Sequence, residues 1–176
     1  LGALPFVISR EIPYFADAFF ETVSGFTTTG ASILTNIEAL SHGMLFWRSF
    51  THWVGGMGVL VFIMALVPNL SDRSIHIMRA EVPGPIVGKL VPRIKDSAKI
   101  LYLIYVVLTA IEAIVLIVGG MSVFDGVVHA FATAGTGGFG IKADSAGSYA
   151  PHLQWILGIF MLLFGVNFNL YYLIFI

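Results

Sequence analysis

Apolar residues fall along this chain in runs of two lengths. Three runs are long: residues 49–67 carry no charge over 19 positions, 153–176 none over 24, and 100–118 is interrupted only by Glu112. A helix needs about 20 residues to cross a bilayer core, so each long run reads as a spanning helix. Two runs are short. Residues 14–26 and 123–134 hold about a dozen positions each, the length of a buried or re-entrant helix. Asp17 and Asp125 stand near their starts, where the helix dipole favours negative charge.

Each short run closes in threonine and glycine, as Thr27-Thr28-Thr29-Gly30-Ala31-Ser32 and as Thr133-Ala134-Gly135-Thr136-Gly137-Gly138-Phe139-Gly140. A long run then follows each loop, so the order of short helix, Thr/Gly loop and long helix occurs twice. A shift of 108 residues carries Asp17 onto Asp125, Thr28 onto Thr136 and Gly30 onto Gly138. A shift of 107 sets Thr29-Gly30 on Thr136-Gly137 instead. The repeat is one of order and leaves the register open, but an internal repeat of this kind is itself informative about architecture.

Composition agrees with the pattern. Hydrophobic residues make up 57% of the chain and charged ones 11%, with a mean hydropathy of +0.91. A soluble domain carries about 25% charged residues, so the reading is an all-α, polytopic membrane protein of repeated helix–re-entrant helix–helix units. Net charge is −1, which gives no nucleic-acid partner. With no cysteine, disulfides, thiolate nucleophiles and thiolate metal sites are excluded. Residues 1–8 are apolar but lack the basic start and small-residue cleavage site of a signal peptide, and the chain reads as a fragment of something longer.

Three parts follow: residues 1–67 as the end of one helix, a pore helix, its loop and a second helix; 68–99 as a linker; and 100–176 as the next such unit. The linker holds six of the nine Lys and Arg residues: Arg73, Arg79, Lys89, Arg93, Lys95 and Lys99. The positive-inside rule puts it in the cytoplasm, and the Thr/Gly loops are then reached from the outer side. Pro83, Pro85 and Pro92 make it a region of turns and short helices.

Irregular backbone at membrane depth is tolerated only where it lines a cavity or is buried in protein. Glycine admits the backbone angles that turn several carbonyls one way, and a ring of carbonyls replaces the hydration shell of a cation. The partly negative C-terminal end of each short helix points at the same place. No carboxylate lies in either loop, which suits a monovalent ion better than calcium or magnesium.

The stretch 24–32 resembles the second pore loop of the Trk/Ktr/HKT superfamily of potassium transporters. Trp53-Val54-Gly55-Gly56-Met57-Gly58 looks like the start of that repeat's second helix, Arg79-Ala80-Glu81-Val82-Pro83-Gly84-Pro85 like the cytoplasmic linker, and Ala134-Gly135-Thr136-Gly137-Gly138-Phe139 like the third pore loop. The likeness runs over nearly the whole chain and is closest to the membrane subunits of bacterial Trk systems (TrkH type). It implies four repeats around one pore, each giving a filter glycine, with this chain holding most of repeats two and three. Gly30 carries over as one filter glycine. Gly138 is assigned as the other because it follows Asp125 by 13 residues, as Gly30 follows Asp17; Gly137 is the alternative.

On this resemblance potassium is the substrate, with no covalent cofactor. It is bound by the backbone carbonyls of Thr28, Thr29, Gly30, Thr136, Gly137 and Gly138 in segments completed by Ala31 and Phe139. In the last long run, Gly165, Asn167 and Asn169 interrupt an apolar stretch. Buried amides in lipid find partners on neighbouring helices, each worth about 0.6 kcal/mol; the resemblance implies instead a helix broken into a loop that gates the pore. It further implies a homodimer in the bacterial inner membrane, in contact with lipid and with a cytosolic nucleotide-binding regulatory subunit below. That subunit and anionic headgroups explain the basic linker equally well.

The isolated polar residues carry less. Glu112 has no basic partner at helical spacing. Arg48 and His52 are one helical turn apart near the outer end of their span, and Arg48 is expected to snorkel to the headgroups. Glu21 and His129 match at the shift of 108 and are expected to hold the loops by hydrogen bonds. The alternative function is a polytopic intramembrane enzyme, a protease or a lipid-modifying one. Asp17 and Asp125 are its only candidate aspartate pair, and helix-start roles explain both more simply.

Overall fold

The structure, a computed structural model, describes residues 1–58, 94–166, 168 and 170–171, without the side chains of 94–98. Those residues form α1 (Leu4–Ile8), α2 (Phe15–Phe26), a 3-10 turn (Ile37–Ala39), α3 (His42–Gly56), α4 (Ile94–Val118), α5 (Val123–Ala134) and α6 (Pro151–Gly165), with no strand among them. The all-α class is as the sequence predicts. The remainder of the 49–67 run, most of the basic linker, Asn167 and Asn169 lie outside the described residues.

Local chemistry sets where the helices begin. Ser122 caps α5 by accepting the Asp125 N–H at 3.0 Å, and Asp17 and Asp125 both sit in first turns. Ser41 caps α3, and the Glu11 carboxylate takes both the Ser41 N–H (2.7 Å) and its hydroxyl (2.6 Å). That cap starts α3 seven residues before the uncharged run. Likewise α4 begins at Ile94, inside the basic segment. Hydrophobicity marks where a helix meets lipid rather than where it starts, and Lys95, Ala98 and Lys99 are good helix formers once Pro92 is passed.

The 153–176 run departs from one spanning helix. α6 stops at Gly165, Val166 is extended (φ −71°, ψ 140°), and helical conformation returns at Phe168. The Tyr171 hydroxyl donates to the Leu163 carbonyl across the break at 2.9 Å. Among the described residues, 99–118 is the one helix long and apolar enough to cross a membrane.

α2 packs on α1 and α3, and α4, α5 and α6 pack on one another; α3 against α5 joins the two halves. At that seam Phe46, Phe50 and Trp53 of α3 lie 5.8, 6.1 and 5.3 Å from the Phe131 ring of α5, pairs worth about 0.5–1.5 kcal/mol each. The neighbouring face of α3 carries Arg48 and His52. Burial runs opposite to that of a soluble protein. Glu21, Arg48, His52, Glu112 and His129 are buried, while Leu103, Val107, Ile111, Ile114 and Val118 form an exposed apolar stripe on α4.

Candidate functional site

Both Thr/Gly loops leave their short helix by the same backbone turn. After α2, Thr28 is left-handed (φ 54°), its N–H bonds the Gly25 carbonyl and the Thr29 N–H bonds the Ser24 carbonyl, both at 3.0 Å. These paired bonds make a Schellman closure. After α5, Thr136 is left-handed (φ 58°) and its N–H bonds the Thr133 carbonyl at 2.7 Å. Two residues further on, Gly30 (φ 75°) and Gly138 (φ 64°) are left-handed as well. The left-handed positions coincide at a shift of 108, which sets Gly30 against Gly138 and Gly137 against Thr29. A left-handed threonine costs about 1–2 kcal/mol, so two at matched places are imposed by their surroundings. Left-handed residues at alternate positions turn successive carbonyls to one side, the arrangement a cation needs.

The two loops lie backbone to backbone. A Cβ on Gly30 would run into the Gly137 carbonyl, and one on Gly137 would stand 2.6 Å from the Thr28 oxygen. Gly138 is open by comparison: its nearest neighbour in that direction is Met161 Cε at 3.7 Å.

Different residues hold each loop. The first is held by its own helix. Ser24 Oγ donates to the Ala31 carbonyl at 2.5 Å, and the Glu21 carboxylate accepts the Ser32 hydroxyl (2.9 Å) and the Ile33 N–H (3.1 Å). The second is held by α3. The Gly137 N–H donates to His52 Nε2 at 3.2 Å, so that nitrogen is unprotonated and the imidazole is the neutral Nδ1–H form. Arg48 Nη1 donates to the Gly140 carbonyl at 2.5 Å. Between these points the Phe139 ring lies 3.5 Å under the Arg48 guanidinium and 5.2 Å from the His52 ring. Phe139 is therefore a buried anchor behind the loop. The Gly138 carbonyl accepts the Gly140 N–H at 2.7 Å.

Arg48 does not reach for headgroups. It is 1% exposed, and its Nε pairs with Glu21 Oε1 at 2.5 Å. An Arg so deep in protein is stable only beside an opposite charge, and Glu21 supplies it. Glu21 holds its loop as the sequence predicts, whereas His129 does not: its Nδ1 bonds the Asp125 carbonyl of its own helix at 2.8 Å, and its Nε2 has no hydrogen-bond partner among the described residues. Asp125 accepts the Tyr149 hydroxyl at 3.3 Å. Burial, and after it this carboxylate, push the Tyr149 phenol above its ordinary pKa. Glu112 is fully buried and, among the described residues, has no hydrogen bond of good geometry, Thr133 being its polar neighbour. Gly165 ends α6 next to Phe164, which packs with Tyr105 and Phe168.

The cross-repeat set of Glu21, Arg48, His52 and Phe139 escapes a reading of each repeat alone. The available signal was chemical: a buried arginine at membrane depth demands an acid, and Glu21 is an acid in an adjacent short helix.

Comparison with known proteins covers nearly the whole chain. The TrkH family, described as cation transport protein, matches residues 2–176. The Trk system potassium uptake protein TrkH of Escherichia coli is 44% identical over 176 residues, covering 98% of this chain and 36% of its own length. TrkI of Halomonas elongata is 38% identical over 172 residues, covering 97% and 35%. The crystal structure of the potassium transporter TrkH from Vibrio parahaemolyticus superposes with a TM-score of 0.77 at 35% identity, over 99% of this chain and 34% of that one. The chain thus spans about a third of the length of the relatives it matches. All of these are named as transport proteins, and the enzyme alternative finds no support among them.

Proposed function

The chain belongs to the TrkH family of cation transport proteins, and on that footing we propose that it carries two filter segments of a potassium-translocating membrane subunit. One observation carries this reading. The left-handed positions 28 and 30 match 136 and 138, in two loops that touch through Gly30 and Gly137. Potassium binds the carbonyls of Thr28, Thr29 and Gly30 on one side and of Thr136, Gly137 and Gly138 on the other, with Gly30 and Gly138 as the equivalent glycines. Ala31 and Phe139 anchor the two segments. The names of the relatives support potassium as the ion.

The parts 1–67, 68–99 and 100–176 are one repeat, a cytoplasmic linker and the next repeat of a multi-pass protein of the bacterial inner membrane. The break at Gly165, with Asn167 and Asn169, is the gate. The assembly is a homodimer above a cytosolic nucleotide-binding subunit that docks on the basic linker. Neutralising Arg73, Arg79, Lys89 and Arg93 abolishes co-purification with that subunit; unchanged co-purification assigns the charges to lipid headgroups instead. For the ion itself, the intact protein in liposomes conducts potassium and rubidium in preference to sodium. Equal fluxes of all three would overturn the filter reading.

A further inference from the structure

In the first loop, the Thr29 N–H turns back to the Ser24 carbonyl of its own helix. The matching N–H, that of Gly137, turns to His52 on the preceding repeat. A peptide unit is planar and trans, with its N–H and C=O pointing opposite ways. Whatever accepts the Gly137 N–H therefore also sets the direction of the Thr136 carbonyl, which belongs to the same peptide unit. His52 is well fixed for the task. It is fully buried, stacked on Phe139 at 25°, and packed so closely on Gly135 and Gly137 that neither has room for a Cβ. The far end of the loop is clamped by Arg48 at the Gly140 carbonyl.

We propose that His52 is a positioning residue of the filter. By accepting the Gly137 N–H it aims the Thr136 carbonyl into the ion pathway, and the ion preference of the later repeat's segment is set by the earlier repeat. The proposal rests on the filter reading above. It extends that reading by making one loop's carbonyl geometry depend on a side chain of another unit, where the first loop needs none.

The test is the potassium-to-sodium flux ratio of the intact protein in liposomes, measured on variants that elute as monodisperse species. His52→Leu fills the space without an acceptor, and lowers the ratio about tenfold, equivalent to about 1.4 kcal/mol. His52→Gln places an amide oxygen near the position of Nε2 and recovers most of that loss; His52→Asn, whose oxygen falls short, recovers less. A wild-type ratio in His52→Leu overturns the proposal, as does His52→Gln performing no better than His52→Asn. The second comparison stands even where His52→Leu fails to fold. Gly30→Ala in parallel separates the two claims. If it alters the ratio while the His52 series does not, the positioning claim fails alone; if it leaves the ratio unchanged, the filter reading fails.

Discussion

The two Thr/Gly loops share a backbone but differ in what holds them. The first is tied to its own short helix through Ser24 and Glu21. The second is tied to a helix of the other repeat through His52 and Arg48. Matched φ values at 28 and 136, and at 30 and 138, show that one loop geometry is reached by two sets of contacts. The geometry is what the repeats keep in common, and the hydrogen-bond partners differ. Glu21 stands where the two schemes meet, accepting from the first loop while pairing with the arginine that holds the second.

That position makes Glu21 the most damaging place to break the comparison. Glu21→Gln keeps the shape but leaves the Arg48 charge buried and unpaired, which costs about 3–5 kcal/mol. A large drop in the melting temperature of the purified intact protein is the expected result, with both loops affected. An unchanged melting temperature would mean that the ion pair contributes nothing. Ser24→Ala is narrower. It removes the Ser24 Oγ bond to the Ala31 carbonyl, worth about 1 kcal/mol, and should loosen the first loop while the second keeps its contacts. Hydrogen exchange resolved by peptide checks this, with faster exchange around 28–33 and none added around 136–140. Smallest of all is Tyr149→Phe, which removes a 3.3 Å bond to Asp125 at a cost of about 0.5 kcal/mol. It tests whether the second short helix needs support at its start, and a barely shifted melting temperature is the expected outcome.

Much of the arrangement was legible in the sequence. Two short helices ending in Thr/Gly announce themselves by length and by glycine, and the apolar run 123–134 coincides with α5, which Ser122 caps. The all-α class followed from the same runs. Helix starts were read less well. Capping by Ser41 and the helix-forming residues after Pro92 extend α3 and α4 beyond their apolar runs, and hydropathy is blind to both. The repeat register was open in the sequence because Thr-Gly pairs fit two shifts, and backbone handedness distinguishes them. Arg48 was misread because an arginine near a membrane edge has two resting places, headgroup or buried acid. Its choice depends on a contact 27 residues away. His129 was misread by symmetry, since a matched position need not carry a matched bond.

The central claim is that the two loops are equivalent segments of one filter, and a paired substitution tests it most directly. Gly30→Ala meets both a left-handed backbone and the Gly137 carbonyl, whereas Gly138→Ala meets the backbone alone. In liposomes holding the intact protein, both variants should lower the potassium-to-sodium flux ratio, Gly30→Ala by more. A wild-type ratio in either would contradict the account.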